Sequence, residues 1–266
     1  MSPLLIALVC ALLAGAITFG VMSAFERPRS RKPVRDDVPP PSRMLAVVGA
    51  VVGVILIGGF LGGLAEVIES NSPVVRWDNH VEKWASDNAG PVATDALRVV
   101  THMGDTVTII CLAVVCCVGL LWAGHRRLAL FLATVVVGQW LIANVAKELV
   151  ERARPDLDPL SSFSGFSFPS GHSTAAAATY LALAIVAIAL RPSWKRSVLI
   201  AGAVVIAVAV AASRSLLGVH WFSDVVGGLI VGWAWCLICA VLYDVLRRKP
   251  LPSGSTSTVT SSPSAT

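Results

Sequence analysis

Long apolar runs alternate with short polar connections along most of the chain. A helix needs roughly 20 mostly apolar residues to cross a bilayer. Seven runs approach that length: residues 4–25, 44–66, 106–124, 128–149, 173–190, 197–213 and 225–246. A basic, proline-containing segment separates the first run from the other six. The pattern predicts an all-α integral membrane protein, a six-helix transmembrane bundle with one extra N-terminal helix.

Composition supports a membrane protein and argues against two other classes. Of the 266 residues, 55% are hydrophobic and 14% are charged, and the mean hydropathy is +0.75. A soluble domain of this composition could not cover its surface with polar groups. The net charge of +5 does not indicate nucleic-acid binding, because the basic residues form short clusters between apolar runs and not one stripe.

The cysteines all lie inside apolar runs, so we interpret them as packing residues of membrane helices. They are Cys10, Cys111, Cys116, Cys117, Cys236 and Cys239. The last two have the spacing of a CxxC metal motif, but no second ligand pair accompanies them. Their positions assign no disulfide pairing.

The basic residues predict the orientation. If residues 26–43 are cytoplasmic and successive connections alternate between the two sides, the cytoplasmic segments are 26–43, 125–127, 191–196 and 247–249. These segments contain 14 of the 21 lysines and arginines. Short cytoplasmic loops carry such an excess of positive charge. A cleaved signal peptide over residues 4–25 would place the basic segment outside, so a retained helix is favoured and a signal segment is the alternative.

These features divide the chain into four parts. We expect an extra transmembrane helix (or signal segment) over 1–25, a basic, Pro-rich cytoplasmic linker over 26–43, a membrane domain over 44–246 and a disordered cytoplasmic tail over 247–266.

Two smaller patterns concern packing. In the outer loop 67–105, apolar residues recur at helical spacing and predict a short amphipathic helix, either at the membrane interface or packed against the bundle; they are Val74, Trp77, Val81 and Trp84, with Asp78 among the polar residues between them. Glycines four residues apart predict close helix packing: Gly49 and Gly53, Gly59 and Gly63, and Gly228 and Gly232.

Ionisable residues gather at the outer ends of the last four predicted helices, where they are costly and mark function by default. The first cluster contains Lys147, Arg154 and Pro155. Lys147 and Arg154 are two helical turns apart, so we expect them to share one helix face before Pro155 ends or bends the helix. Two cations on one face would bind an anion, and a guanidinium matches phosphate oxygens.

The second cluster is the sequence Pro169-Ser170-Gly171-His172, directly before an apolar run. It predicts a loop that enters a helix N-terminus, where free N–H groups and the helix dipole favour an anion. Gly171 would let the backbone approach that anion, Ser170 could add a hydroxyl donor, and His172 would lie at the mouth of the site. The alternative is an ordinary N-cap formed by Ser170 or Ser173.

The third cluster contains Arg214, His220 and Asp224. Arg214 supplies a third cation. His220 and Asp224 are four residues apart and can meet on a helical turn. A carboxylate that accepts an imidazole N–H fixes the tautomer and frees the other ring nitrogen. Together the clusters place three cations, a helix N-terminus, two histidines and a carboxylate on one side of the membrane, which suits chemistry on a phosphate group.

The three clusters resemble the signature of the type-2 phosphatidic acid phosphatase superfamily of integral-membrane lipid phosphatases, K-x6-R-P, P-S-G-H and S-R-x5-H-x3-D. All spacings match, and the resemblance covers about residues 44–246. It implies that the phosphate is held by Lys147, Arg154, Ser170, the Gly171 backbone and Arg214.

The same resemblance implies the catalytic roles. His220 would attack phosphorus and form a phosphohistidine, Asp224 would orient His220, and His172 would protonate the departing oxygen. We expect no cofactor and no metal ion, because three cations can neutralise the phosphate charge and no carboxylate cluster has the ligand spacing of a divalent ion.

The predicted function is hydrolysis of a lipid phosphate monoester or pyrophosphate by a multi-pass plasma-membrane enzyme whose active site faces the periplasm or cell exterior. Phosphatidate, phosphatidylglycerophosphate and a polyprenyl diphosphate such as undecaprenyl diphosphate are all candidate substrates. The alternatives are a lipid phosphotransferase and a non-catalytic phospholipid binder or transporter, although binding alone needs no oriented histidine. A soluble haloperoxidase would share the anion pocket but would not need six spans. The sequence predicts no oligomeric state.

Overall fold

The computed structural model describes residues 43–69, 73–88, 90–155, 165–191 and 195–247, and this part of the chain is folded into helices and their connections. Its α-helices are α1 (Arg43–Glu69), α2 (Pro73–Asn88), α3 (Pro91–Thr101), α4 (Thr106–Trp122), α5 (Arg126–Val150), α6 (Gly171–Leu190), α7 (Arg196–Leu216) and α8 (Phe222–Arg247). A 3-10 turn, His102–Gly104, joins α3 to α4. The predicted N-terminal helix, the linker up to residue 42 and the tail from residue 248 lie outside the described residues.

The all-α membrane fold is confirmed. Helices α5 to α8 are long and apolar enough to cross a bilayer, and α3, the 3-10 turn and α4 together form one further candidate span that is bent by 45°. Helix α1 contains a shorter apolar stretch, Val48–Phe60. Each predicted run from residue 44 onward corresponds to one helix, α1 or one of α4 to α8, with its ends shifted by at most three residues. Helix α3 and the bend after it were not predicted.

Helix α6 lies at the centre of the bundle, packed against α8, α7 and α5. Small residues allow this close approach. A Cβ atom added at Gly232 of α8 would lie 2.5 Å from the carbonyl oxygen of Thr174, and one at Gly228 would lie 2.7 Å from that of Ser170. The packing role predicted for this glycine pair is confirmed. For Gly59 and Gly63 an added Cβ would meet no described atom within 4 Å, so their packing role stays a prediction.

The buried core contains Cys236 and Cys239 together with apolar side chains of α4, α5 and α6. Cys236 is fully buried and Cys239 is 5% exposed. Their predicted role as packing residues is confirmed.

The amphipathic helix predicted in the outer loop is α2, and it packs against α7 and α8. Trp84 and Ala85 contact an apolar cluster that includes Leu216, while Trp77 remains 66% exposed. Asp78 differs from the expectation for a polar helix face, since it is only 1% exposed. Its carboxylate is buried because it binds an arginine of the site described below.

The C-terminal ends of α5 and α7 meet the N-terminal ends of α6 and α8 at one end of the bundle, since Lys147, Gly171, Arg214 and His220 line one cavity there. All three ionisable clusters lie at this end.

Candidate active site

A cavity of about 620 Å³ lies at this end of the bundle. Its polar wall contains six of the eight predicted site residues, Lys147, Arg154, Gly171, His172, Arg214 and His220. The rest of its wall comes mainly from apolar side chains of α4, α5 and α6, including Ile109, Ile110, Val136, Val137, Trp140 and Ala175. The cavity thus joins a charged region to an apolar groove, a shape that fits an amphiphile.

Lys147 and Arg154 line the cavity together, but they do not share a helix face as predicted. Helix α5 ends at Val150, because Glu151 adopts a left-handed conformation with φ of 48° and its N–H donates to the carbonyl of Lys147. Residues 151–155 then continue outside the helix. Pro155 is not the residue that ends α5. The turn at Glu151 brings Arg154 back over the cavity.

Arg154 is held in position by backbone carbonyls. Its Nε donates to Gly165 at 3.0 Å and its Nη1 donates to Val219 at 2.8 Å. The same Nη1 lies 3.2 Å from Nε2 of His220. Because a guanidinium can only donate, Nε2 of His220 must be the acceptor, and it carries a lone pair directed toward Arg154.

The other ring nitrogen of His220 faces Asp224. Nδ1 lies 3.3 Å from Oδ2 of Asp224, so the predicted contact between these two residues is confirmed. His220 precedes α8 and Asp224 lies in its first turn, so a helix entry brings the two side chains together. The arrangement fixes the tautomer with the proton on Nδ1 and the lone pair on Nε2.

His220 is 3% exposed, and burial lowers its pKa to about 4. The hydrogen bond and negative charge of Asp224 act in the opposite direction, while the positive charges of Arg154 and Arg214 add to the effect of burial. Desolvation dominates because it penalises the charged imidazolium. At neutral pH His220 is therefore uncharged, the form in which an imidazole is a nucleophile.

Asp224 is fully buried and receives several hydrogen bonds. Its Oδ2 accepts from the Ser167 hydroxyl and from the Trp221 backbone N–H, the latter at 3.0 Å, in addition to facing His220. Its Oδ1 lies 2.5 Å from Nη1 of Arg152. These donors compensate the cost of burying a carboxylate and fix its position.

Sequence reasoning missed Arg152 and Ser167, and it did not assign Asp78 to the site. Arg152 Nη1 also donates to the Ser223 hydroxyl at 2.7 Å, and Nη2 donates to Asp78 at 2.7 Å. Asp78 in turn accepts from the Ser223 backbone N–H at 2.8 Å. Two features of the sequence could have indicated these residues. Asp78 lies next to the apolar stripe of α2, and Arg152 lies inside the first cluster of ionisable residues.

A second histidine–carboxylate pair lies on another side of the cavity. Nε2 of His172 is 2.6 Å from Oδ1 of Asp105, whose Oδ2 is 2.6 Å from Nδ1 of His102. Sequence reasoning also missed Asp105. It directly precedes a predicted helix on the predicted outer side of the membrane, as the residues of the three clusters lie at such helix ends.

Near this pair, Arg214 is 2% exposed and its Nη1 donates to Thr101 of α3 at 3.0 Å.

The predicted helix N-terminus is confirmed at Ser170, which caps α6. Its Oγ lies 3.0 Å from the Ser173 hydroxyl and 3.5 Å from the Ser173 backbone N–H. Ser170 is fully buried and does not line the cavity, so a contact between its hydroxyl and phosphate stays a prediction. At Gly171, an added Cβ would lie 3.7 Å from Nζ of Lys147, so a side chain would occupy space next to this cation.

Within the part of the chain that the structure describes, no group of three or more His, Cys, Asp or Glu side chains is arranged to hold a metal ion. The histidines and carboxylates of the site instead contact one another and arginines. The absence of a cofactor stays a prediction.

Comparison with known proteins agrees with this geometry. A model of the PAP2 superfamily matches residues 127–248. Phosphatidylglycerophosphatase B of Bacillus subtilis is 36% identical over 173 residues, which are 64% of this chain and 84% of that protein. The crystal structure of a transmembrane PAP2-type phosphatidylglycerolphosphate phosphatase from Bacillus subtilis superposes with a TM-score of 0.68 at 31% identity, covering 73% of this chain and 97% of that one.

Other relatives match over shorter regions. Lipid A 1-phosphatase of Rhizobium etli is 34% identical over 42% of this chain and 49% of that protein. A putative undecaprenyl-diphosphatase of Escherichia coli is 35% identical over 31% of this chain and 38% of that protein. The predicted resemblance to membrane lipid phosphatases is confirmed.

Proposed function

Because this chain belongs to the PAP2 superfamily and is a membrane lipid phosphatase, we propose that it hydrolyses a lipid phosphate monoester or pyrophosphate through a phosphohistidine on His220. One observation carries this proposal. His220 places an unprotonated Nε2 3.2 Å from the Arg154 guanidinium while its Nδ1 faces Asp224. An anion that binds to Arg154 would therefore lie beside an oriented, uncharged nucleophile.

The phosphate would be bound by the cations that line the cavity, Lys147, Arg154 and Arg214. Phosphoryl transfer spreads negative charge over the equatorial oxygens, so fixed cations provide much of the stabilisation. The N-terminus of α6 adds the positive end of a helix dipole next to Gly171. These groups provide the charge neutralisation that a metal ion provides elsewhere, which supports a reaction without a metal cofactor.

In the first step Nε2 of His220 forms a bond to phosphorus as the bond from phosphorus to the lipid oxygen breaks. His172 donates a proton to the departing oxygen, and Asp224 stabilises the positive charge on the phosphorylated ring. In the second step water attacks phosphorus and gives its proton to His172, the P–N bond breaks, and inorganic phosphate leaves. Asp105 binds Nε2 of His172, so Nδ1 would be the nitrogen that exchanges this proton.

The lipid tail would lie along the apolar wall formed by α4, α5 and α6 and enter between helices from the bilayer. Several side chains of this wall are half exposed, among them Ile110, Val137 and Trp140 at 50%, 57% and 51%.

We further propose that the site faces the periplasm or cell exterior. The basic residues at 126–127 and 195–196 lie at the opposite end of the bundle, where positive charge favours the cytoplasm.

The test is phosphate release by the detergent-purified protein from phosphatidate, phosphatidylglycerophosphate and a polyprenyl diphosphate, each with and without EDTA. We expect release that EDTA does not reduce and that His220→Ala abolishes. His125→Ala is the matched control, because His125 is exposed and precedes α5 at the opposite end of the bundle.

A second measurement distinguishes the covalent mechanism from direct attack by water. Wild-type protein quenched in alkali during turnover of substrate labelled in the phosphate should carry an acid-labile phosphoprotein, and the His220→Ala protein should not. Full activity of the His220→Ala protein would overturn the proposal. Phosphate transferred to an added alcohol in place of water would identify a phosphotransferase.

A further inference from the structure

Gln139 is a polar side chain at membrane depth that the mechanism above does not use. It lies in the middle of α5, a candidate membrane span, and is 4% exposed. It lines the cavity on the same helix face as Val136 and Ala143, within its apolar region. Gln139 forms no hydrogen bond with the described residues. Its amide is not among the fully buried side-chain atoms of the described residues that have no partner, so it is open to the cavity, where an apolar ligand chain would leave it unpaired at a cost.

The depth of Gln139 specifies which part of a substrate it would meet. It is about two helical turns, roughly 12 Å along the axis, from Lys147. A phosphate bound near Lys147 would place the atoms a few bonds beyond phosphorus next to the amide. In a glycerolipid these atoms include ester carbonyl oxygens, which accept hydrogen bonds. In an isoprenoid phosphate they are hydrocarbon.

We propose that the Gln139 amide donates a hydrogen bond to an ester carbonyl of a glycerolipid phosphate and makes the site select glycerolipids over isoprenoid phosphates. A carboxamide offers two N–H donors, and an ester carbonyl offers only acceptors. An isoprenoid chain in the same groove would leave the amide unsatisfied, and a site with an unpaired buried polar group rejects the ligand that lacks its partner. This inference rests on the proposed function and adds the substrate class.

The experiment compares three phosphate monoesters with the same scissile group, namely diacylglycerol phosphate, its dialkyl ether analogue and a polyprenyl monophosphate. The wild-type protein should show the highest kcat/KM for the diacyl lipid. Gln139→Leu, which keeps an apolar groove of similar size, should lower kcat/KM for the diacyl lipid by roughly fivefold, the value of one neutral hydrogen bond. The same substitution should leave kcat/KM for the ether and polyprenyl substrates unchanged or higher.

The matched control is Val137→Ala, which changes the shape of the same cavity wall without removing a polar group. It should change kcat/KM for all three lipids by similar factors. A Gln139→Leu protein that affects the diacyl and ether lipids equally, or neither of them, would overturn the inference and leave the proposed phosphatase function intact. Absence of phosphate release from any lipid by the folded wild-type protein would overturn both.

Discussion

Asp78 and Arg152 form a buried ion pair between residues that are 74 positions apart, with 2.7 Å from Oδ2 to Nη2. The same guanidinium reaches Asp224, the carboxylate that faces His220. Helix α2 is therefore connected to the candidate nucleophile through two salt bridges. This connection gives α2 a role in the site although it contributes no residue to the cavity wall.

We expect Asp78→Asn to lower both stability and turnover. The variant leaves the buried Arg152 guanidinium paired with Asp224 alone. Removing one partner of a buried ion pair costs about 3 kcal/mol in comparable cases. The free energy of unfolding in detergent should fall by that order, and kcat should fall because Arg152 no longer holds Asp224 in place. Asp95→Asn is the control, since the ion pair of Asp95 with Arg98 is exposed and such pairs contribute little. Equal behaviour of the two variants would show that the α2 connection is not needed.

Asp105→Asn should reduce turnover without weakening substrate binding. Asp105 accepts from Nε2 of His172, and an amide at this position would no longer fix the tautomer or support the charged form of the ring. General acid–base catalysis contributes about 100-fold or more, so we expect kcat to fall by about 10- to 100-fold while KM stays close to the wild-type value.

His102→Ala is the control for this variant, because it removes the other partner of Asp105 and leaves the contact with His172 in place. The alkaline limb of the pH–rate profile provides a second readout. It should shift in Asp105→Asn and stay unchanged in His102→Ala. A normal kcat in Asp105→Asn would show that His172 does not depend on this carboxylate.

The folded protein should lose stability between about pH 6.5 and pH 4 because of His220. Its pKa is about 4 in the folded state, below the ordinary value of 6.5, so the unfolded chain binds more protons in this interval. The free energy of unfolding therefore rises with pH across the interval and falls on acidification. Thermal unfolding at pH 7 and pH 4.5 should show a smaller acid-induced decrease for His220→Gln, which cannot titrate. An identical decrease in both proteins would contradict the assignment of a buried, uncharged His220.

Gly232→Ala should destabilise the contact between α6 and α8. The added methyl group would lie 2.5 Å from the Thr174 carbonyl and 2.8 Å from the Cβ of Ala177, where backbone must move to accommodate it. Overpacking of this kind costs about 1–3 kcal/mol. Gly59→Ala is the matched control, since its methyl group would meet no described atom within 4 Å. The midpoint of thermal unfolding in detergent should fall for Gly232→Ala and stay constant or rise for Gly59→Ala.

The helices could be predicted because the apolar runs have the length that a bilayer requires, and their boundaries agree with α1 and α4 to α8 within three residues. The meeting of His220 with Asp224 could also be predicted, since a spacing of four residues brings side chains together near a helix start. Motif spacing alone therefore predicts most of the candidate site.

Other parts of the site depend on contacts that sequence spacing does not encode. The sequence placed Arg154 on a helix, because its spacing from Lys147 suits one, but the left-handed residue Glu151 ends α5 first. A non-glycine residue in that conformation gives little local signal. Asp78 followed the pattern of a polar helix face and is nevertheless buried, because its partner Arg152 comes from a segment far along the chain. Only the tertiary fold brings those two charges together.

The cavity that joins three cations to an apolar groove between helices has a kinetic consequence. The two products would leave in different directions, with phosphate passing into water and the dephosphorylated lipid returning to the bilayer. The enzyme would then encounter its substrate as a two-dimensional solute, at a frequency set by the mole fraction of that lipid in the membrane. Diluting the substrate with inert lipid at a constant bulk amount should therefore slow turnover, whereas diluting the whole suspension with buffer should leave the rate per enzyme molecule unchanged.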